Sequence, residues 1–170
     1  MMKLNIRELA AMPGREVSFS YSATPQELEL LEESVEFLDA IEVRGTAVYT
    51  GHSYRVTGEV HDRVRYVCDR CLKDCEEQQV HELSEDYPAE GASDTDDYAD
   101  AIHDDWLDIE PLVRDTVIAA QPLSHLCRPD CKGLCPVCGH DLNEGDCGCD
   151  CTVIDPRMAA LKALLNNDDI

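Results

Sequence analysis

The chain has 170 residues, room for one compact domain but not for two ordinary catalytic domains with separate cores. Its 36 Asp and Glu against 14 Lys and Arg give a formal charge of -22, which excludes a globally basic nucleic-acid surface and leaves only a local basic stripe open. With two Phe and one Trp, a large aromatic-lined ligand chamber is not expected, and no motif identifies a reaction.

The amino-terminal stretch MMKLNIRELAAMPGRE mixes charge with apolarity and has no continuous hydrophobic region, so no secretory signal is read and a cytoplasmic protein is expected. Apolar runs fall far short of the roughly 20 residues that a membrane span needs, and no membrane partner is expected. Thr24-Pro25-Gln26-Glu27 has the form of a capping box with proline at the first helical position. A helix of at most two turns and an extended continuation through Leu28, Leu30, Val35 and Phe37 are equally open there.

From Ile41 the pattern is extended. Ile41, Val43, Ala47 and Tyr49 predict a strand, joined through Thr50-Gly51-His52-Ser53 to an antiparallel neighbour. In that neighbour Tyr54, Val56, Val60, Val64 and Tyr66 take the even positions and Arg55, Thr57, Glu59, His61, Arg63 and Arg65 the odd ones, so strand periodicity puts the apolar set on a buried face. Thirteen residues is long for one strand, and Gly58 and Asp62 interrupt the apolar face, so a bend or bulge near His61 and Asp62 is expected. A third strand is placed at Gln78 to Leu83.

Residues 76–115 hold 15 acids and one base, against 13 acids and nine bases in residues 1–75. Most of Glu85 to Asp105 therefore reads as a mobile acidic linker with little apolar material to offset the entropy of ordering. Beyond it Leu107, Ile109, Leu112, Val113, Val117 and Ile118 recur at helical spacing, with Asp108 or Glu110 able to accept amide hydrogens, Pro111 in the first turn and Pro122 as the stop. A last helix is read from Asp155-Pro156, with Met158, Leu161, Leu164 and Leu165 on one side.

Ten cysteines in a chain read as cytoplasmic are not expected to form a structural disulfide set. Cys68-Asp69-Arg70-Cys71 and Cys135-Pro136-Val137-Cys138-Gly139 have the spacing of metal knuckles, and closed tetrahedral zinc sites are the favoured use. The favoured partition joins Cys68, Cys71, Cys127 and Cys131 in one site and Cys135, Cys138, Cys147 and Cys149 in the other, giving two structural zinc ions. Because the second set is local, Cys135→Ser is expected to release one metal and largely spare the other. An alternative joins the two knuckles, Cys68, Cys71, Cys135 and Cys138, and a single metal or metal-free thiols also remain open. Iron–sulfur and thioredoxin-like readings lack their characteristic spacing and strand-to-helix context. His125 and His140 form no catalytic zinc motif, and four-cysteine sites leave no open coordination position.

The elements predict an α+β protein, a small antiparallel β-rich core with flanking helices and a cysteine-rich zinc-binding segment. Residues 1–84 are read as the amino-terminal part of a single β-rich domain ending near the first CxxC. Residues 85–105 are read as a flexible acidic linker or insertion, and 106–170 as the helix, cysteine module and last helix packing on the same domain.

Four stretches carry a resemblance: LNIRELAAMPG, the strand ending in VCDRCL, DIEPLVRDTVIAAQPLSHLC after the linker, and DCKGLCPVCGHDLNEGDCGC with DPRMAALKALL. Together they resemble the bacterial and plastid family of the large ribosomal RNA subunit accumulation protein, the YceD-like proteins, over nearly the whole chain. The resemblance implies a role in the synthesis, processing or stability of 23S ribosomal RNA and no enzymatic reaction. Its pattern carries over to Cys68, Cys71, Cys127, Cys131, Cys135, Cys138, Cys147 and Cys149, while Cys75 and Cys151 are additional. Relatives that keep the first CxxC but lack the later cysteines imply that the tail is an accessory stability module.

The first functional expectation is a non-enzymatic factor in large-subunit assembly. Arg55, Arg63 and Arg65, continuing to Arg70 and Lys73, form a stripe able to touch phosphates of large-subunit rRNA or a pre-ribosomal particle. The same side chains could instead pair with neighbouring Glu and Asp. A second expectation is an acidic adaptor or chaperone for a basic ribosomal protein, attracted by the acidic segment. A metal-dependent nuclease or a redox protein explains fewer residues, because the Asp-rich run does not lie on identifiable strands.

Overall fold

The computed structural model describes residues 2–30, 35–89 and 101–150. The predicted helix from Asp155, and Cys151, lie outside the described residues. Those described fall into two compact units, one made of 2–67 with 74–125 and the other of 68–73 with 126–150. Among the described residues the architecture is mostly antiparallel β with two short helices, which supports the α+β expectation only loosely.

The first unit is built on β5 (Ser53–Val67) and its neighbours. β4 (Ile41–Tyr49) pairs with it antiparallel, Val43 facing Val60 and Ala47 facing Val56, and the turn Thr50–Ser53 closes the hairpin as the sequence predicts. β6 (Asp74–Pro88) pairs along the whole of β5, from Val67↔Asp74 to Ser53↔Pro88. It is much longer than the strand placed at Gln78 to Leu83 and carries on into the segment read as acidic linker. β2 (Glu16–Ala23) covers the far edge of β4.

The even-numbered side chains of β5 point into the core: Val56, Val60 and Val64 are fully buried and Tyr54 and Tyr66 nearly so, while Arg55 and Arg65 are exposed and Arg63 partly so. The expected bulge is not in β5, whose ladder with β6 is unbroken. It lies on the opposing chain. β3 (Val35–Phe37) pairs with β5 as Phe37↔Val64, whereas β4 resumes as Glu42↔His61, so two extra residues are accommodated opposite Asp62 and Arg63. The break falls between β3 and β4, while the β5–β6 ladder runs past it without interruption.

Thr24 and Glu27 make the reciprocal capping-box bonds, with the Thr24 amide donating to Glu27 Oε2 at 2.8 Å, yet the segment remains a turn that buries Leu28 and Leu30. Val35 and Phe37 are extended, so the extended reading holds for that end of the segment, and the helix does not form among the described residues. A glycine pair, Gly45 opposite Gly58, lets the Phe19 ring lie over the sheet, where a Cβ on Gly45 would run into Phe19 Cζ and the Thr57 carbonyl oxygen.

A smaller sheet, in the order β1 (Lys3–Asn5), β8 (Trp106–Asp108), β7 (Ile102–His103), was not expected from sequence. Helix α1 (Ile6–Ala11) follows β1, capped by Asn5 Oδ1. Helix α2 (Glu110–Ala120) forms on the expected apolar spacing from Leu112 to Ile118, with Pro111 in its first turn and the Glu110 amide donating to Asp108 Oδ1 at 3.0 Å, while Leu107 falls on β8 and Ile109 at the helix cap. Its buried side, Leu112, Val113 and Val117, joins both sheets in one core, while Ile118 faces outward. No helix among the described residues is long and apolar enough to cross a membrane.

Candidate metal centres

Cys68 follows the last residue of β5 and Lys73 precedes the first of β6, so a tight turn carries the first CxxC. The Cys68 amide donates to the Lys73 carbonyl and the Leu72 amide to the Cys68 carbonyl, both at 2.9 Å. The second CxxC repeats this wiring. The Cys135 amide donates to the His140 carbonyl at 2.8 Å and the Gly139 amide to the Cys135 carbonyl at 2.9 Å. Each knuckle turns on a residue in the left-handed region, Leu72 at φ 59° and Gly139 at φ 74°. Glycine adopts that conformation freely and leucine does not.

The sulfurs of Cys68, Cys71, Cys127 and Cys131 lie within 4.8 Å of one another, and so do those of Cys135, Cys138, Cys147 and Cys149. The structure thus gathers the two favoured sets, and it places the knuckle sulfurs Cys68 and Cys71 in a different set from Cys135 and Cys138. Cys68 Sγ is 3.9 Å from Cys131 Sγ, and Cys71 Sγ is 3.6 Å from Cys127 Sγ. A tetrahedron with metal–sulfur bonds of about 2.3 Å has edges of about 3.8 Å, so these distances fit one zinc-sized ion and are too long for disulfides. Cys75 belongs to neither set, lying on β6 opposite Tyr66.

Charge within the sets supports a cation. Burial and the neighbouring thiols of Cys131, Cys71 and Cys68 push Cys127 up to about 12. The Cys138 and Cys147 side chains and burial do the same to Cys149. Such crowded sulfurs resist ionising together, and a divalent ion reverses the penalty by binding thiolates. Donors for thiolate are in place: burial disfavours ionised Cys68, but the amides of Cys127, Cys71 and Arg70 bring it down to about 6.

Neither set contains a histidine. His125 lies 5.0 Å from Tyr66, ring centre to ring centre, and His140 contributes its carbonyl to the second knuckle. Four sulfurs close a tetrahedral site, so each set suits a structural ion.

Sequence reasoning did not find the supporting residues. Asp141 lies 2.7 Å from Lys73 Nζ, and this ammonium together with the Asn143 amide and side chain holds the carboxyl down at about 2. Asn143 donates through Nδ2 to Asp141 Oδ1 at 2.7 Å and to Cys131 Sγ at 3.5 Å, and its Oδ1 accepts from the Lys132 amide at 2.9 Å. The Asp-Leu-Asn run ahead of Gly145 carries an Asx-turn signature that points to this loop.

The cations proposed for RNA are committed elsewhere. Arg55 makes a two-pronged pair with Asp86, Arg63 lies 2.6 Å from Glu76 and 3.5 Å from Asp39, and Arg65 lies 2.9 Å from Glu76 and 3.2 Å from Glu36. Arg70 donates to the Cys131 carbonyl at 2.8 Å, and Lys73 binds Asp141 and Glu144. Of the two readings open for these side chains, the structure shows the pairing with neighbouring Glu and Asp for Arg55, Arg63, Arg65 and Lys73, while Arg70 bonds a carbonyl.

The sequence signature of the large ribosomal RNA subunit accumulation protein YceD matches residues 56–165. An uncharacterized protein of Mycobacterium tuberculosis is 32% identical over 171 residues, covering 96% of this chain and 81% of its own length. The uncharacterized protein YlbN of Bacillus subtilis is 27% identical over 175 residues, 99% of each chain. No solved structure matches the chain.

Proposed function

Because this chain belongs to the YceD family of large ribosomal RNA subunit accumulation proteins, we propose that it is a cytoplasmic, non-enzymatic factor supporting 23S ribosomal RNA during assembly of the large subunit. The family match carries this reading. The two closed cysteine sets support the non-enzymatic part, since a zinc ion held by four sulfurs braces a loop and has no position left for substrate or water.

The pairing of Arg55, Arg63 and Arg65 with carboxylates favours a second reading of how the factor acts. A chain of charge -22 whose strand-face cations are already neutralised attracts a basic protein more readily than a phosphate backbone. The contact with the assembling particle is then made through a basic ribosomal protein, and the effect on rRNA is indirect.

Capture of the full chain from cells under reducing, metal-preserving conditions, with RNA sequencing and protein mass spectrometry, tests both. A basic large-subunit protein retained after ribonuclease treatment is expected. Loss of every protein with ribonuclease, together with crosslinks from the β5 face to 23S rRNA that vanish in the Arg55→Ala, Arg63→Ala, Arg65→Ala variant, would establish direct RNA contact instead.

A further inference from the structure

The loop of residues 139–146 separates Cys138 from Cys147, two members of the second cysteine set, so an ion held by that set fixes the loop at both ends. The same loop reaches the first set. Asn143 Nδ2 faces Cys131 Sγ at 3.5 Å, and Asn143 Oδ1 takes the amide of Lys132, the next residue, at 2.9 Å. Asp141 holds Lys73, two residues after Cys71, at 2.7 Å, and the Leu142 amide donates to the Gly133 carbonyl at 2.9 Å. Four thiolates around a divalent ion leave a net charge of -2, so an N–H aimed at sulfur and an ammonium next to the knuckle both favour the loaded form.

We propose that the two metal centres are coupled through this loop, with Asn143 as a positioning residue that donates to the Cys131 sulfur, so that loading either centre tightens the other. The inference rests on reading both cysteine sets as metal centres. It departs from the independence expected of a self-contained second set. Coupling between binding free energies is reciprocal, so order at the first centre also favours closure of the second.

The test is zinc binding by the reduced full chain, followed by native mass spectrometry and by competition with a chelator of known affinity. At half loading, the wild-type chain should appear mainly as metal-free and two-metal species. Independent equal sites would put about half of the molecules in the one-metal form. Cys149→Ser disables the second centre without touching a ligand of the first, and should lower zinc affinity at the first about 10- to 100-fold. Asn143→Asp keeps the acceptor for the Lys132 amide but removes the N–H facing sulfur, and should give a similar loss. Combined with Cys149→Ser it should add little, because the loop is already released. Wild-type first-centre affinity in Cys149→Ser, or two zinc ions bound independently, would overturn the coupling alone. Wild-type behaviour of Asn143→Asp would remove Asn143 from it. A chain that binds no zinc would overturn the metal reading itself.

Discussion

Leu72 and Gly139 occupy equivalent places in the two knuckles, yet only one is suited to its backbone. Leu72 sits in the left-handed region with a side chain 65% exposed, so little packing offsets the strain. Leu72→Gly should relieve about 1 kcal/mol of it, less the greater freedom glycine has when unfolded, and should leave metal affinity equal or higher. Gly139→Ala should weaken the second centre by about 1 kcal/mol, roughly fivefold in chelator competition. Equal effects at the two positions would contradict the shared geometry. The CxxC pairs were legible because their spacing is local, whereas the join of Cys68 and Cys71 to Cys131 and Cys127, 56 to 63 residues away, was one of the alternatives that only the fold decides. Asn143 was not legible, since its N–H reaches a sulfur 12 residues away by a route that only the folded loop defines.

Asp62 is the polar exception on the buried face of β5. Its Oδ2 lies 3.0 Å from His81 Nε2, while Oδ1 has no hydrogen-bond partner. Burial raises its pKa against the lowering effect of His81 and His61. A carboxyl raised on folding binds more protons in the native state, so stability falls as pH climbs from the unfolded value, about 3.9, through the raised native one. Asp62→Asn should therefore gain relative to wild type as pH rises over that window, and the difference should flatten below about pH 4. Urea denaturation at several pH values reads this, and a difference independent of pH would refute it.

At the scale of elements, β5 was legible because every second residue had to be apolar to be buried. Its partner β6 was legible only over Gln78 to Leu83. Glu76 and Glu77 carry polar side chains on both faces, and pairing with β5 orders them where periodicity shows nothing. β1, β7 and β8 are two or three residues long, too short for any period. The register itself has a direct test. Val64 is fully buried with Val35 and Tyr66 in a small cluster, so Val64→Asp should cost about 3 kcal/mol or more, whereas Thr57→Val on the opposite face should cost little. Near-equal midpoints for the two variants in denaturant would place β5 the other way round.

For the whole molecule, the hydrophobic material and the sulfurs serve different units. Two sheets and α2 share one apolar core, while the second unit is ordered around eight cysteines. Small irregular segments of that kind gain their folding energy from metal, so the second unit should lose order on chelation while the β-rich unit keeps its own. The charge asymmetry, with acids in excess and Arg55, Arg63 and Arg65 paired to carboxylates, agrees with a factor that meets basic partners.

If this chain supports accumulation of large-subunit ribosomal RNA, the ratio of 23S to 16S ribosomal RNA in cells lacking the gene reads it directly. Under assembly stress the ratio should fall and the wild-type chain should restore it. The triple-arginine variant, expressed at equal abundance, should restore it too, because those arginines are committed to carboxylates. An unchanged ratio in the deletion strain under the same stress would contradict the account.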